Sequence, residues 1–141
     1  MSDYGKGALS RETLSWIISR ARQEKKRVLV DPKGRDYDKY RQASLLTPNR
    51  HEAELAWGRE IVSDADLEQA GQHFVTSLEL EAVIITLGKD GMYLYEKSGK
   101  SRRIKTEARE VYDVTGAGDT ALATLGYALT QGWTWARAME L

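Results

Sequence analysis

The sequence contains no cysteine at all. The chain can therefore form neither a disulfide bond nor a thiolate metal site, and a reducing compartment such as the cytoplasm is the expected location. An excess of charge of either sign is also missing, because 21 lysine and arginine residues balance 21 aspartate and glutamate residues. Neither nucleic acid nor an anionic membrane is therefore an expected partner. No apolar run approaches the ~20 residues that a membrane-spanning helix needs.

What the sequence does contain is an alternation of helix-like and strand-like patterns, which predicts an α/β fold with a mostly parallel sheet flanked by helices. Capped apolar stripes predict helices, and short continuous apolar runs predict buried strands. The predicted helices cover residues 11–24, 64–78 and 116–131, and a shorter one begins near Asn49. The predicted strands cover residues 28–30, 43–47, 82–87 and 111–114, and a hairpin is predicted over 91–106.

The length of 141 residues is enough for one modest domain. A last predicted helix begins at Thr134 and is interrupted where the sequence ends at Leu141. Domain boundaries normally lie in exposed linkers rather than inside helices. We therefore expect residues 1–141 to form one incomplete domain.

Residues 113–119 carry the strongest chemical signal, Asp-Val-Thr-Gly-Ala-Gly-Asp, between a predicted strand and a predicted helix. The backbone N–H groups of Gly116, Ala117 and Gly118 would point out of the first helical turn and bind an anion such as a phosphate. Asp119 follows directly, with a carboxylate suited to act as the base for an attacking hydroxyl. An ordinary threonine-capped helix with a glycine-rich entry is the alternative. The sequence has neither the P-loop pattern nor the dinucleotide-binding fingerprint.

Two further segments each have a structural and a functional interpretation. Residues 49–52, Asn-Arg-His-Glu, have the pattern of a capping box, in which Asn49 and Glu52 satisfy the first N–H groups of a helix. Oxygen-bearing side chains of this kind also suit a hard cation such as Mg²⁺, which keeps several of its waters. Residues 86–91, Thr-Leu-Gly-Lys-Asp-Gly, are compatible with a plain turn between a strand and a hairpin.

In their order along the chain, residues 49–52, 86–91 and 113–119 resemble the motifs of the ribokinase (PfkB) family of carbohydrate kinases. The resemblance implies a ribokinase-like fold, ATP and Mg²⁺ as cofactors, and phosphoryl transfer to a sugar. It also implies that Asp119 is the catalytic base and that the Gly116, Ala117 and Gly118 amides form the anion hole. The other implied site residues are Thr86, Gly88, Gly91 and Thr115 on the nucleotide side, and Asn49 and Glu52, which would position Mg²⁺ through water.

Residues 2–7, 31–34, 45–49 and 110–119 look more closely like the heptose 7-phosphate kinase branch of that family. This branch is the kinase domain of a bifunctional bacterial enzyme of ADP-heptose and lipopolysaccharide synthesis. The resemblance implies ATP-dependent phosphorylation of D-glycero-D-manno-heptose 7-phosphate at its anomeric hydroxyl, and a fused or associated nucleotidyltransferase. ATP and a phosphorylated sugar would then be the ligands. Lys6 and Lys33 become candidates for phosphate contacts, and the alternative for each is a solvated surface lysine.

Two other functions stay open from the motifs alone. Another sugar or nucleoside kinase of the PfkB type would carry the same segments, and so would a non-catalytic nucleotide-binding module that kept the fold. The family's N-terminal half supplies the sugar pocket with its lid, and its final helices complete the adenine side; neither has a counterpart in this sequence. We therefore expect the isolated chain to have little kinase activity. The missing strands would leave an exposed sheet edge and an apolar face, so we also expect homo-oligomers to form through that face unless another chain supplies the missing half.

Overall fold

The computed structural model describes residues 1–3, 10–105 and 117–139, with the backbone alone for 117–121. Within these ranges the helices are α1 Arg11–Gln23, α2 Arg50–Trp57, α3 Asp64–Ser77, α4 Ala117–Thr130 and α5 Trp135–Ala138. The strands are β1 Leu29–Val30, β2 Leu45–Leu46, β3 Ala82–Thr86, β4 Met92–Glu96 and β5 Ser101–Ile104. Asp38–Tyr40 and Gly88–Asp90 each form one turn of 3₁₀ helix. Of the helices described, none has the length and hydropathy that a membrane span requires.

The five strands form a single sheet in the order β1-β2-β3-β4-β5. The β1–β2 and β2–β3 pairs are parallel, whereas β4 is antiparallel to both of its neighbours. Four of the five strands therefore run in the same direction. This confirms the predicted mostly parallel sheet and the predicted hairpin, while the predicted strand over 111–114 lies outside the described residues.

Helices cover both faces of the sheet and divide the apolar core into two clusters. Strand β3 contributes side chains to both clusters, because successive side chains of a strand point to opposite faces of the sheet. Val83 and Ile85 belong to the cluster that α1, α2 and α3 cover, whereas Ala82 and Ile84 belong to the cluster that α4 and α5 cover. The central strand is therefore buried on both sides, as its continuous apolar sequence predicted.

The helices begin where the sequence provides a cap. The Ser10 side chain accepts a hydrogen bond from the N–H of Thr13 at the start of α1. Ser63 and Asp66 form a full capping box at the start of α3. The apolar stripe of α1 buries Leu14 and Ile18. These local signals placed α1 and α3 correctly to within a residue at each end.

The parallel strands direct their carboxyl ends toward one edge of the sheet. Residues 31–33 follow β1 there, Asn49 lies three residues beyond β2, and Gly88 lies two residues beyond β3. Asn49 and Thr86 are joined by a parallel β-bridge, which brings the segments 49–52 and 86–91 together. In open α/β sheets ligands bind in the crevice outside this edge.

Candidate functional site

Asn49 and Glu52 form a capping box at the start of α2. Asn49 Oδ1 accepts a hydrogen bond from the Glu52 N–H at 2.9 Å, and Glu52 Oε2 accepts one from the Asn49 N–H at 2.9 Å. The structural interpretation of residues 49–52 is therefore confirmed. It leaves the second carboxylate oxygen of Glu52, Oε1, for other partners.

Glu52 Oε1 accepts a hydrogen bond from the ammonium of Lys33. The same ammonium lies 3.9 Å from Asp31 Oδ2. The Glu52 and Asp31 side chains are only 13% and 17% exposed, and the Lys33 side chain is 36% exposed. Lys33 is therefore not a solvated surface lysine, because it is held between two largely buried carboxylates.

Asp31 was not among the residues predicted for the site. The signal for it was present, since it is the first residue after β1 at the carboxyl edge of a parallel sheet. Although the strand before it was predicted, Asp31 was missed because its relation to Glu52, through Lys33, joins residues far apart in the sequence. With Asp31 included, the edge carries two carboxylates that each lie within 4 Å of one ammonium.

A second polar group, next to the first, is almost completely buried. Asp3 is 3% exposed, and its Oδ2 accepts hydrogen bonds from Tyr40 Oη and Lys39 Nζ, both at 2.6 Å. Tyr40 Oη also accepts a hydrogen bond from the Lys33 N–H at 3.1 Å. The Asp3 N–H donates to the Asp31 carbonyl at 3.0 Å. Tyr40 therefore connects the N-terminal residues to the loop that carries Lys33.

The surroundings of Tyr40 and Lys39 shift the pKa values of both side chains. Burial raises the pKa of Tyr40 to about 12, and the hydrogen bond to Asp3 acts in the same direction. Burial alone would lower the pKa of Lys39, but hydrogen bonds to Asp3 and Tyr40 outweigh it and raise the pKa above its usual value. Both side chains therefore keep their protons over the physiological pH range.

Tyr37 adds a buried hydroxyl to this part of the site. It is 4% exposed, and its ring packs edge-on against Tyr40 with 5.7 Å between the ring centroids. Burial raises the pKa of Tyr37 far above its ordinary value, with further contributions from Glu52, Tyr40 and Asp31. The hydroxyl is buried and has no hydrogen-bond partner in the part of the chain that the structure describes. Among the described residues it is therefore an unsatisfied polar atom, and the charges of Glu52 and Asp31 act on it.

Residues 86–91 form the turn that the sequence predicted between β3 and the β4–β5 hairpin. Gly88 and Gly91 adopt φ values of 61° and 91°, which suit glycine. A Cβ atom on Gly91 would lie 1.9 Å from the carbonyl oxygen of Ile104. Thr86, the last residue of β3, is half-buried beside Asn49. The turn geometry has a structural cause, and the nucleotide role of Thr86, Gly88 and Gly91 stays a prediction.

The glycine-rich motif is described only in part. Lys6, Thr115 and Gly116 lie outside the described residues. Helix α4 begins at Ala117, so Ala117, Gly118 and Asp119 belong to its first turn, where backbone N–H groups have no partner within the helix. This backbone arrangement is what an anion hole requires. The base and anion-hole roles of these residues stay predictions.

The donor set suits a hydrated hard cation. Mg²⁺ is commonly held by one or two carboxylates, with waters and substrate phosphates completing its shell. Glu52 and Asp31 supply two carboxylates around the position of one cationic group, and the unsatisfied Tyr37 hydroxyl could bond a metal-bound water. No cluster of three or more histidine, cysteine or acidic residues fit to hold a metal occurs within the described ranges. The residues therefore fit Mg²⁺ that is held mainly by water and phosphate.

The known protein sequences that resemble this chain include several that are named bifunctional protein HldE. The bifunctional protein HldE of Wolinella succinogenes is 52% identical over 133 residues, which is 94% of this chain and 28% of that protein. The HldE protein of Geobacter metallireducens is 50% identical over 141 residues, which is 100% of this chain and 29% of that protein. The chain thus spans less than a third of the length of these relatives.

Solved structures share the fold of this chain. Phosphofructokinase-2 from Escherichia coli, in complex with potassium, superposes with a TM-score of 0.81 at 22% identity, over 92% of this chain and 43% of that one. Arabidopsis thaliana ribokinase, complexed with ribose and ATP, gives a TM-score of 0.80 at 22% identity, with the same coverage of 92% and 43%. The pfkB family of carbohydrate kinases matches residues 4–141. The chain therefore belongs to the pfkB family of carbohydrate kinases.

Proposed function

We propose that this chain is the ATP-binding portion of a kinase for D-glycero-D-manno-heptose 7-phosphate. The reaction transfers the γ-phosphoryl group of ATP to the anomeric hydroxyl and gives the 1,7-bisphosphate, a step toward ADP-heptose. The observation that carries the proposal is identity of about half of all positions, over the whole chain, with a bifunctional HldE protein. A sugar kinase follows from the family itself, and the heptose substrate is the finer part of the proposal.

Asp119 is the proposed catalytic base. Its carboxylate would orient the anomeric hydroxyl and take its proton as the oxygen attacks the γ-phosphate. The backbone N–H groups of Gly116, Ala117 and Gly118 would stabilise the charge that spreads over the transferred phosphoryl group. Support comes from α4, whose first described turn contains Ala117, Gly118 and Asp119, because a helix N-terminus favours bound anions.

The residues at the carboxyl edge of the sheet have proposed roles around the phosphates. Glu52 and Asp31 would hold a hydrated Mg²⁺, with Asn49 orienting Glu52 through the capping box. When bound, Mg²⁺ would neutralise charge on the phosphate oxygens. Lys33 and, from the N-terminal segment, Lys6 would contact phosphate as compact cations. Thr86, Gly88, Gly91 and Thr115 would border the nucleotide.

We also propose that turnover requires further polypeptide. The chain covers 43% of each of the two superposed structures and less than a third of its curated relatives. A sugar pocket with a lid must position the acceptor, because phosphoryl transfer depends mainly on positioning. The proposed partners are a sugar-binding half and, from the likeness to proteins named bifunctional, a fused or associated nucleotidyltransferase.

A chimeric enzyme tests the substrate. Residues 1–141 replace the matching segment of the Wolinella succinogenes relative, whose 52% identity favours a compatible core. The purified chimera and the unmodified host are then assayed with ATP and a panel of acceptors: heptose 7-phosphate, fructose 6-phosphate, ribose and adenosine. We expect kcat/KM for heptose 7-phosphate to exceed that for the other acceptors by at least about a hundredfold.

Two results would reject the proposal. A chimera that prefers another acceptor would make the chain part of a different PfkB-type kinase. A folded chimera that binds ATP but transfers phosphate to none of the acceptors, while the host is active, would make it a non-catalytic nucleotide-binding module. The isolated 141-residue chain, assayed beside the chimera, is expected to show little turnover.

A further inference from the structure

Lys33 lies between two carboxylates that are close enough to share one cation. Its ammonium bonds to Glu52 Oε1 and is 3.9 Å from Asp31 Oδ2. The two carboxylate side chains are largely buried, so their mutual repulsion is poorly screened by water. A positive charge between them is therefore needed, and in this structure the ammonium of Lys33 supplies it.

The bonding of Glu52 shows which atom an incoming cation must use. Oε2 is engaged by the N–H of Asn49 in the capping box, at 2.9 Å. Oε1 is the oxygen that Lys33 holds. A divalent cation that binds Glu52 without breaking the cap must therefore compete with the ammonium for Oε1.

The Tyr37 hydroxyl is an independent sign that the site takes a ligand with its own hydrogen-bonding atoms. It is buried, and no partner for it occurs among the described residues. It is also within electrostatic reach of Glu52 and Asp31. The lysine stem brings no acceptor or donor to this hydroxyl, whereas the water shell of a hydrated cation would bring both.

We propose that Lys33 is a place-holder for a divalent cation: its ammonium neutralises Asp31 and Glu52 until a hydrated cation displaces it. The inference rests on the proposed function, which takes these carboxylates as the ones that face the metal and the phosphates. The lysine is able to move, because its four-carbon stem is flexible and its side chain is 36% exposed. Once displaced, the ammonium is available to a phosphate oxygen, so cation entry and phosphate binding are coupled.

The place-holder role has a counter-intuitive consequence. A lysine that only contacts phosphate would not affect cation binding in the absence of phosphate. A place-holder lowers the affinity for the cation, since its own ion pair must first be broken. Removal of the ammonium therefore strengthens cation binding and at the same time weakens phosphate binding.

Cation binding to the 141-residue chain tests this without any enzymatic readout. Mn²⁺ is titrated into the chain without nucleotide, and free Mn²⁺ is followed by electron paramagnetic resonance. We expect Lys33→Met to bind Mn²⁺ about fivefold more tightly than the wild type, the factor that corresponds to loss of a partly exposed ion pair. Lys100→Met is the matched control, because it removes the same charge from the exposed turn of the hairpin. Its affinity is expected to equal that of the wild type.

Amine reactivity in the wild-type chain tests the displacement itself. Lysine labelling by an acylating reagent is located by mass spectrometry with and without MgCl₂. We expect Mg²⁺ to increase the labelling rate of Lys33 severalfold, because the amine leaves Glu52, and to leave Lys89 and Lys100 unchanged.

Unchanged or slower labelling of Lys33 would overturn the inference, as would unchanged or weaker Mn²⁺ binding by Lys33→Met. Absence of Mn²⁺ binding by both proteins would overturn it too. The Mn²⁺ titration and the lysine labelling are independent of the chimeric kinase assay. If either gives a contrary result while the chimera is active on heptose 7-phosphate, only the place-holder role is rejected. A chimera that is inactive on heptose 7-phosphate rejects the proposed function whatever Lys33 does.

Discussion

Replacement of Tyr40 by phenylalanine removes one buried oxygen atom that joins two parts of the site. Tyr40 is fully buried, and its hydroxyl donates to the Asp3 carboxylate at 2.6 Å and accepts from the Lys33 N–H at 3.1 Å. A hydrogen bond to a charged group is worth about 1.5–3 kcal/mol, and a neutral one about 1 kcal/mol. The variant leaves Asp3 with the Lys39 ammonium and fewer partners in a buried position. We therefore expect the free energy of unfolding to fall by about 2–4 kcal/mol.

Urea unfolding of the chain, followed by circular dichroism, measures this loss. With an m-value of about 2 kcal/mol/M, the midpoint should fall by about 1–2 M at unchanged m. Tyr127→Phe is the control, because the Tyr127 side chain is 68% exposed, and its effect should stay within about 0.5 kcal/mol. A Tyr40→Phe variant as stable as the control would show that the hydrogen bonds of Tyr40 do not stabilise the fold.

The same residue predicts how stability depends on alkaline pH. The pKa of Tyr40 is raised to about 12 in the folded chain, from 10.0 in the unfolded one. A raised folded-state pKa means that the contribution is fully present below pH 10 and is lost as the pH rises toward 12. Two pKa units correspond to about 2.7 kcal/mol. Tyr40→Phe should therefore lose less stability between pH 10 and 12 than the wild type, and an equal loss in both proteins would contradict the assignment.

Three further outcomes follow from the packing and the caps. Gly71→Ala would place a Cβ atom 2.6 Å from the Cβ of Tyr95, so we expect a loss of about 1–3 kcal/mol in urea unfolding. Gly126→Ala, also inside a helix, meets only ordinary contact at 3.9 Å and should gain up to about 1 kcal/mol; equal effects at the two glycines would contradict the packing. Asn49→Ala removes the capping box of α2 and should cost about 1 kcal/mol by the same assay, while a neutral result would exclude a capping contribution.

The elements that could be predicted from the sequence are those that local signals define. Helices α1 and α3 have serine caps and apolar stripes, and the hairpin has an alternating pattern with a glycine turn. Strands β1 and β2 were predicted too long. In each of them only two residues form hydrogen-bonded pairs with a neighbouring strand. The length of such short strands is determined by their neighbours rather than by their own residues.

The site was predictable where residues are close in sequence and not where the fold joins distant ones. Asn49 and Glu52 are three positions apart, so both interpretations of their pattern could be stated in advance. The contact of Lys33 with Glu52 spans 19 positions and that of Tyr40 with Asp3 spans 37, and no local pattern indicates either. The roles predicted for Lys6, Thr115 and Gly116 lie outside the described residues.

The assignment of Asp119 as the base of a sugar kinase is tested most directly by its amide variant in the chimera. Asp119→Asn keeps the shape of the side chain and removes its ability to take a proton. We expect kcat with heptose 7-phosphate to fall by about 10²–10⁴-fold, while the dissociation constant for ATP changes by less than about twofold. Turnover within about tenfold of the unsubstituted chimera, with ATP still bound, would contradict it.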